Sequence, residues 1–73
     1  MNRESIASNI RMLRRKRGET QAEAAESVGI SPTAWAMYEA GDRIPRDDVK
    51  IKIAKHFDAT VEAIFFFLMT ILT

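Results

Sequence analysis

The chain has no cysteine, one histidine, two prolines and three glycines in 73 residues, and its net charge is only +1. Without cysteine, neither a disulfide framework nor a thiolate metal site can form. The lone His56 cannot anchor a zinc site, so no metal or other cofactor is expected. The chain does not open on a basic segment followed by an apolar core, so no secretory leader is expected and the expected compartment is the reducing cytoplasm. Internal repeats and Gly/Ser/Pro linkers are missing too, which leaves one small domain. A domain of this size buries only about 60% of its unfolded surface.

The most informative shortage is local. Between Gly18 and Asp42 there is no lysine or arginine, while Glu19, Glu23, Glu26, Glu39 and Asp42 all carry negative charge. The bases gather on either side: Arg3, Arg11, Arg14, Arg15, Lys16 and Arg17 before this stretch, and Arg43, Arg46, Lys50, Lys52 and Lys55 after it. Any contact with a polyanion must therefore lean on the first helix and on the region after Asp42.

What is present is helical punctuation. Ile6, Ile10 and Leu13 draw one apolar stripe, predicting a helix from about Ser5 to Arg17 with Gly18 as its left-handed stop. Thr20 and Glu23 make a capping box, and Ala24, Ala25 and Val28 give the second helix a small-residue face that ends at Gly29. Ser31-Pro32 opens a third helix as N-cap and first residue. Trp35 and Tyr38 share its inner face, and Gly41 stops it. After a loop over 42–46, Val49, Ile53, Ala54 and Phe57 predict a fourth helix from Asp47 to Phe57. Thr60 caps a fifth, which starts at Val61 and includes Ile64 and Phe65. The second and third helices, joined by a tight turn, have the layout of a helix-turn-helix.

The order Ile10-x-x-Leu13-Arg14, Thr20-Gln21-x-x-x-Ala25, Gly29-Ile30-Ser31, Tyr38-Glu39-x-Gly41, Pro45, Ile53-Ala54, Val61 and Phe65 resembles the Cro/C1-type, phage-repressor-like helix-turn-helix family. The resemblance covers about residues 6–65. It implies an all-α, five-helix lambda-repressor-like domain over residues 1–65, with an apolar tail over 66–73. It further implies a transcriptional regulator of phage or prophage type that inserts its third helix into the major groove of double-stranded DNA.

Several roles follow from that resemblance. Gln21, at the start of the second helix, would bond a phosphate, where free amides and the helix dipole also favour an anion. Pro32, Thr33, Ala36 and Met37 would meet base edges. The usual bidentate donors are missing there, so readout would rest on thymine methyls, on one hydroxyl or on DNA deformability. Ser31, Arg43 and Arg46 would contact the DNA backbone. Arg14 would pair with Glu39 as a structural link between the first and third helices. Arg15, Lys16 and Arg17 read as a solvated face, and Asp42 stands where a base is more usual. Gln21 has a plainer reading as an exposed first-turn residue, Arg43 and Arg46 as solvated loop charges, and the face of Pro32, Thr33, Ala36 and Met37 as one that binds a protein and not a base.

His56, near the end of the fourth helix, suits the helix dipole. Ser27, Asp47 and His56 could be drawn as a triad, but no nucleophile turn or glycine-built oxyanion site accompanies them, so an enzyme is not expected. No small-molecule effector is expected, because no sensing domain is present.

From Ile64 to Thr73 eight of ten residues are apolar. Counted from Val61, this stretch falls short of the ~20 residues that span a bilayer and lacks the lysine-rich face of an interfacial helix, so no membrane partner is expected. Phe66, Phe67, Leu68, Ile71 and Leu72 are the dimerisation candidates, and a homodimer would suit a palindromic operator. The rival reading is a helix-turn-helix used to bind protein, antitoxin-like or anti-repressor in kind, because its motif is acidic.

Overall fold

Capping residues set the helix starts. The computed structural model describes residues 2–66, and among them the order is α1 Arg3–Lys16, α2 Gln21–Val28, α3 Pro32–Glu39, α4 Asp47–His56 and α5 Val61–Phe65, with no strand. Asn2, Thr20, Ser31 and Thr60 each lend a side-chain oxygen to first-turn amides of the helix that follows. The Thr20–Glu23 capping box closes in both directions. α1 begins two residues earlier than the apolar stripe predicts, because Asn2 Oδ1 accepts from the Glu4 amide at 2.8 Å. α4 ends one residue earlier than predicted, at His56.

Helix exits follow one pattern. After α3, Gly41 takes a left-handed φ of 78° while the Asp42 amide reaches back to the Met37 carbonyl at 3.0 Å. The same six-to-one bond closes α4, from the Ala59 amide to the Ala54 carbonyl, but there the left-handed residue is Asp58, with φ 53°. An aspartate tolerates this region better than most side chains and less well than glycine.

The core collects one face of every helix. Ile6 and Ile10 of α1, Ala24 and Ala25 of α2, Trp35 of α3, Ile53 and Phe57 of α4, and Ile64 and Phe65 of α5 are buried together. Alanines on α2 leave room for the Trp35 indole, whose ring lies 6.1 Å from that of Phe57. Asn9 fastens α1 to α5 by donating to the Ile64 carbonyl at 2.9 Å. No helix among the described residues is long and apolar enough to cross a membrane.

Candidate nucleic-acid interface

Glu39 closes α3 and points inward, with 3% of its surface exposed. Arg14 meets its carboxylate with two nitrogens, Nε on Oε2 and a terminal nitrogen on Oε1 at 3.0 Å. Gln21 Nε2 donates to Oε1 at 3.1 Å, and the Trp35 indole N–H donates to Oε2. Arg11 adds a bond to the Glu39 backbone carbonyl at 2.7 Å, and Arg14 reaches the Glu19 carbonyl at 2.8 Å.

Burial pushes the Glu39 carboxyl up, but the bonds from Arg14, Gln21 and Trp35, with the Arg14 charge, outweigh it and hold the group below the usual carboxylate range. The Glu39 bond raises Arg14 against its own desolvation. Removing one partner of a buried pair strands the other, at a cost of about 3–5 kcal/mol. The hub thus ties α1, α2 and α3 into one rigid corner.

The family resemblance pairs Arg14 with Glu39, but the sequence reading misses Gln21 and Trp35 as members. One signal was available: a buried indole N–H requires an acceptor, and Glu39 stands four residues after Trp35 on the same helix face.

Beside this corner the outer face of α3 is sparsely polar. Pro32 and Thr33 are exposed, and Ala36 and Met37 are half-buried. Ser31 is exposed, but its hydroxyl oxygen already accepts from the Ala34 amide at 3.1 Å. At the start of α2 the Thr20 hydroxyl serves the Glu23 amide, and the amides of Gln21 and Ala22 have no partner among the described residues.

Arg43 and Arg46 are exposed on the loop after α3, where they line a surface groove with Tyr38, Ile44, Asp48 and Val49. Tyr38 is 6% exposed, and its hydroxyl has no hydrogen-bond partner among the described residues. Since no buried side-chain oxygen there is left unpartnered, this hydroxyl opens to the groove. α4 also begins at this groove, and its N-cap, Arg46, makes no side-chain cap bond. The groove therefore brings together two guanidiniums, a phenol and uncapped helix amides, opposed by the carboxylate of Asp48. Tyr38 reads from sequence as core alone, because periodicity reports the ring and not where its hydroxyl ends.

Lys50 and His56 are engaged within the fold. Lys50 is 8% exposed, lies 3.4 Å from Asp47 and sits over the rings of Phe65 and Phe66 at 5.8 and 5.6 Å. His56 Nε2 reaches the Glu19 carboxylate at 2.8 Å, linking the end of α4 to the α1–α2 turn, a contact that the helix-dipole reading does not anticipate. Arg15, Lys16 and Arg17 are exposed. Of the dimerisation candidates, Phe66 is exposed just after α5, while Phe67, Leu68, Ile71 and Leu72 lie outside the described residues. No group of three or more potential metal ligands occurs among the described residues.

Comparison with known proteins places this geometry. Residues 5–64 match the family model of the helix-turn-helix domain. An uncharacterised HTH-type transcriptional regulator of Archaeoglobus fulgidus is 37% identical over 62 residues, covering 85% of this chain and 89% of that protein. The cryptic phage CTXphi transcriptional repressor RstR of Vibrio cholerae is 34% identical over 44 residues. That alignment covers 60% of this chain but only 39% of the repressor's own length. In fold, the chain is similar to the crystal structure of the clp gene regulator ClgR from Corynebacterium glutamicum. The TM-score is 0.79 at 23% identity, over 88% of this chain and 68% of that one. With its five helices, its α2–turn–α3 unit and the match over residues 5–64, the chain belongs to the Cro/C1-type helix-turn-helix family of transcriptional regulators.

Proposed function

We propose that this protein is a sequence-specific DNA-binding regulator of transcription, a repressor of phage or prophage type acting in the cytoplasm, and that it lays α3 in the major groove. The observation that carries this reading is the Glu39 hub, which holds the α2 N-terminus and the open face of α3 in one fixed relation. Pro32, Thr33, Ala36 and Met37 are the base-facing residues. Thr33 supplies a hydroxyl, and its methyl, Ala36 and Met37 supply apolar contact to thymine methyls. Arg43 and Arg46 hold one phosphate, with the Tyr38 hydroxyl at the floor of their groove. Ser31 and the first amides of α2 at Gln21 hold others, because unpaired amides and the dipole favour an anion there.

The remaining residues, 66–73, serve homodimerisation, with Phe66, Phe67, Leu68, Ile71 and Leu72 as contacts. Two-fold symmetry would set two copies of α3 about 34 Å apart on a palindrome. Truncation after Phe65 is expected to give a monomer by sedimentation, and a truncated chain that still dimerises refutes the tail's role. No cofactor, small-molecule ligand or enzymatic step enters the reading.

A second reading is favoured by the charge of the motif: Glu23, Glu26 and Asp42 are exposed, and no base occurs between Gly18 and Asp42. In that reading the same surface binds a protein. Selection from a random duplex library at low and moderate salt separates the two. The regulator reading expects a palindromic motif that is lost on Thr33→Ala/Met37→Ala substitution. Unrelated sequences that vanish with salt would leave only electrostatic binding and favour the protein partner.

A further inference from the structure

Two helix faces are left without a partner inside the fold, and they carry opposite charge. On α1, Ile6, Ala7 and Ile10 face the core, while Ser8, Met12, Arg15 and Lys16 are exposed on the other side. With Arg11 these four line an open groove. Met12 is 53% exposed, more than any other large apolar residue among those described. On α2, Ala24, Ala25 and Val28 face the core, while Ala22, Glu23, Glu26 and Ser27 are exposed.

Neither set of charges is used within the chain. Arg15, Lys16 and Glu26 enter no ion pair among the described residues. Glu23 gives one oxygen to the Thr20 amide and pairs with no base there. Both helices pack on α3 and turn these faces outward.

The faces also agree in spacing. Arg15 and Lys16 follow Met12 by one helical turn, and Glu26 follows Ala22 by one turn. A duplex would accept the two bases, but it has no use for Met12 and is repelled by the α2 face. A second copy of this chain satisfies both faces at once, with bases on acids and methionine on alanine.

We propose that the outer face of α1 in one copy docks on the outer face of α2 in a second copy. Each copy carries one face of each kind, so the contact can pass from copy to copy. With eight residues, α2 is only about 12 Å long, so the contact falls short of the ~800 Å² per partner of a standard interface. It is therefore weak between free chains and counts where copies are already held close together. The contact depends neither on DNA binding nor on residues 66–73, and it gives the acidic motif a partner that a DNA-binding regulator can keep.

Because the chain has no cysteine, a cysteine introduced into it is its only thiol. Full-length chains carrying Met12→Cys and Ala22→Cys are mixed in equal amounts at low salt and trapped with a short bismaleimide. The mixed and like products differ in mass. The mixed product should exceed each like product by about tenfold, and added salt should bring it down to the chance proportion. Glu26→Lys in the second chain should remove the excess, and Lys16→Glu in the first should restore it against Glu26→Lys. Glu23 is left in place because its carboxylate closes the capping box.

Circular dichroism verifies that each variant is folded. Should Glu26→Lys not fold, Lys16→Glu against the unaltered second chain decides alone. Chance proportions at low salt overturn the inference and return both faces to solvent. An excess of like products overturns it too, as does a mixed excess that neither charge reversal moves. All of these results leave the regulator reading as it stands, since no duplex is present.

Discussion

Helix α3 has two sides that could hardly differ more. Its inner side carries Trp35, Tyr38 and Glu39, all buried, and Glu39 alone receives four side-chain N–H bonds. Its outer side carries Pro32, Thr33, Ala36 and Met37, which together offer one free hydroxyl. Polar chemistry has been concentrated where it fixes the helix, and little is left where the helix would read a sequence. On the proposed reading, stability and recognition are separable on one element eight residues long.

The comparison is broken most severely from inside. Glu39→Ala should cost about 3–5 kcal/mol, since it leaves the buried Trp35 N–H without its acceptor and the partly buried Arg14 guanidinium without its carboxylate. Small domains have total stabilities of about 5–15 kcal/mol, so urea unfolding should place this variant near the edge of folding.

On the outer side, replacing Arg43 and Arg46 together by alanine should leave the unfolding midpoint nearly unchanged. It should instead flatten the dependence of log affinity on log salt by about 1 unit, for the one phosphate that the two arginines share. Fluorescence anisotropy over a salt series on the selected duplex measures this. A slope that does not change would remove both residues from the interface.

Thr33→Ala and Met37→Ala should each change discrimination among bases by about 1 kcal/mol and stability by less than that. Parallel unfolding and binding measurements check the separation. If either substitution unfolds the chain, the two sides of α3 are not independent.

Acid sharpens the inner side. The folded-state pKa of Glu39 is depressed, so its stabilisation is fully present above the unfolded value of about 4.3 and is lost as pH falls from there through the folded value. Urea midpoints measured downward from about pH 6 should fall on the acid side, and Glu39→Gln should make that fall shallower. The smallest effect expected is at Asp58. Glycine at this left-handed position should stabilise the domain by up to about 1 kcal/mol, with no change in DNA affinity.

Much of the fold is legible in the sequence, because helix starts and stops are local chemistry. Thr20 with Glu23, Ser31 with Pro32, and Thr60 before Val61 each cap the helix expected of them. The site is less legible. Thr33 and Met37 can be placed on the outer side of α3 by spacing, whereas the internal bond of Gln21, the groove-facing hydroxyl of Tyr38 and the burial of Lys50 have no local signature. Each depends on another element packing alongside: Glu39 is 18 positions from Gln21, and Phe65 and Phe66 are 15 and 16 from Lys50.

By itself, then, the sequence determined where the helices run, which faces are apolar, and that the motif is acidic and poor in bases. Capping bonds span three or four residues and apolar stripes repeat every turn, so both are written in short windows. Only the tertiary structure decided which polar groups are spent inside and which remain for a partner. A hydrogen bond such as that from Gln21 to Glu39 exists once α1, α2 and α3 have packed, and it is packing that leaves the opposite end of the same amide facing out.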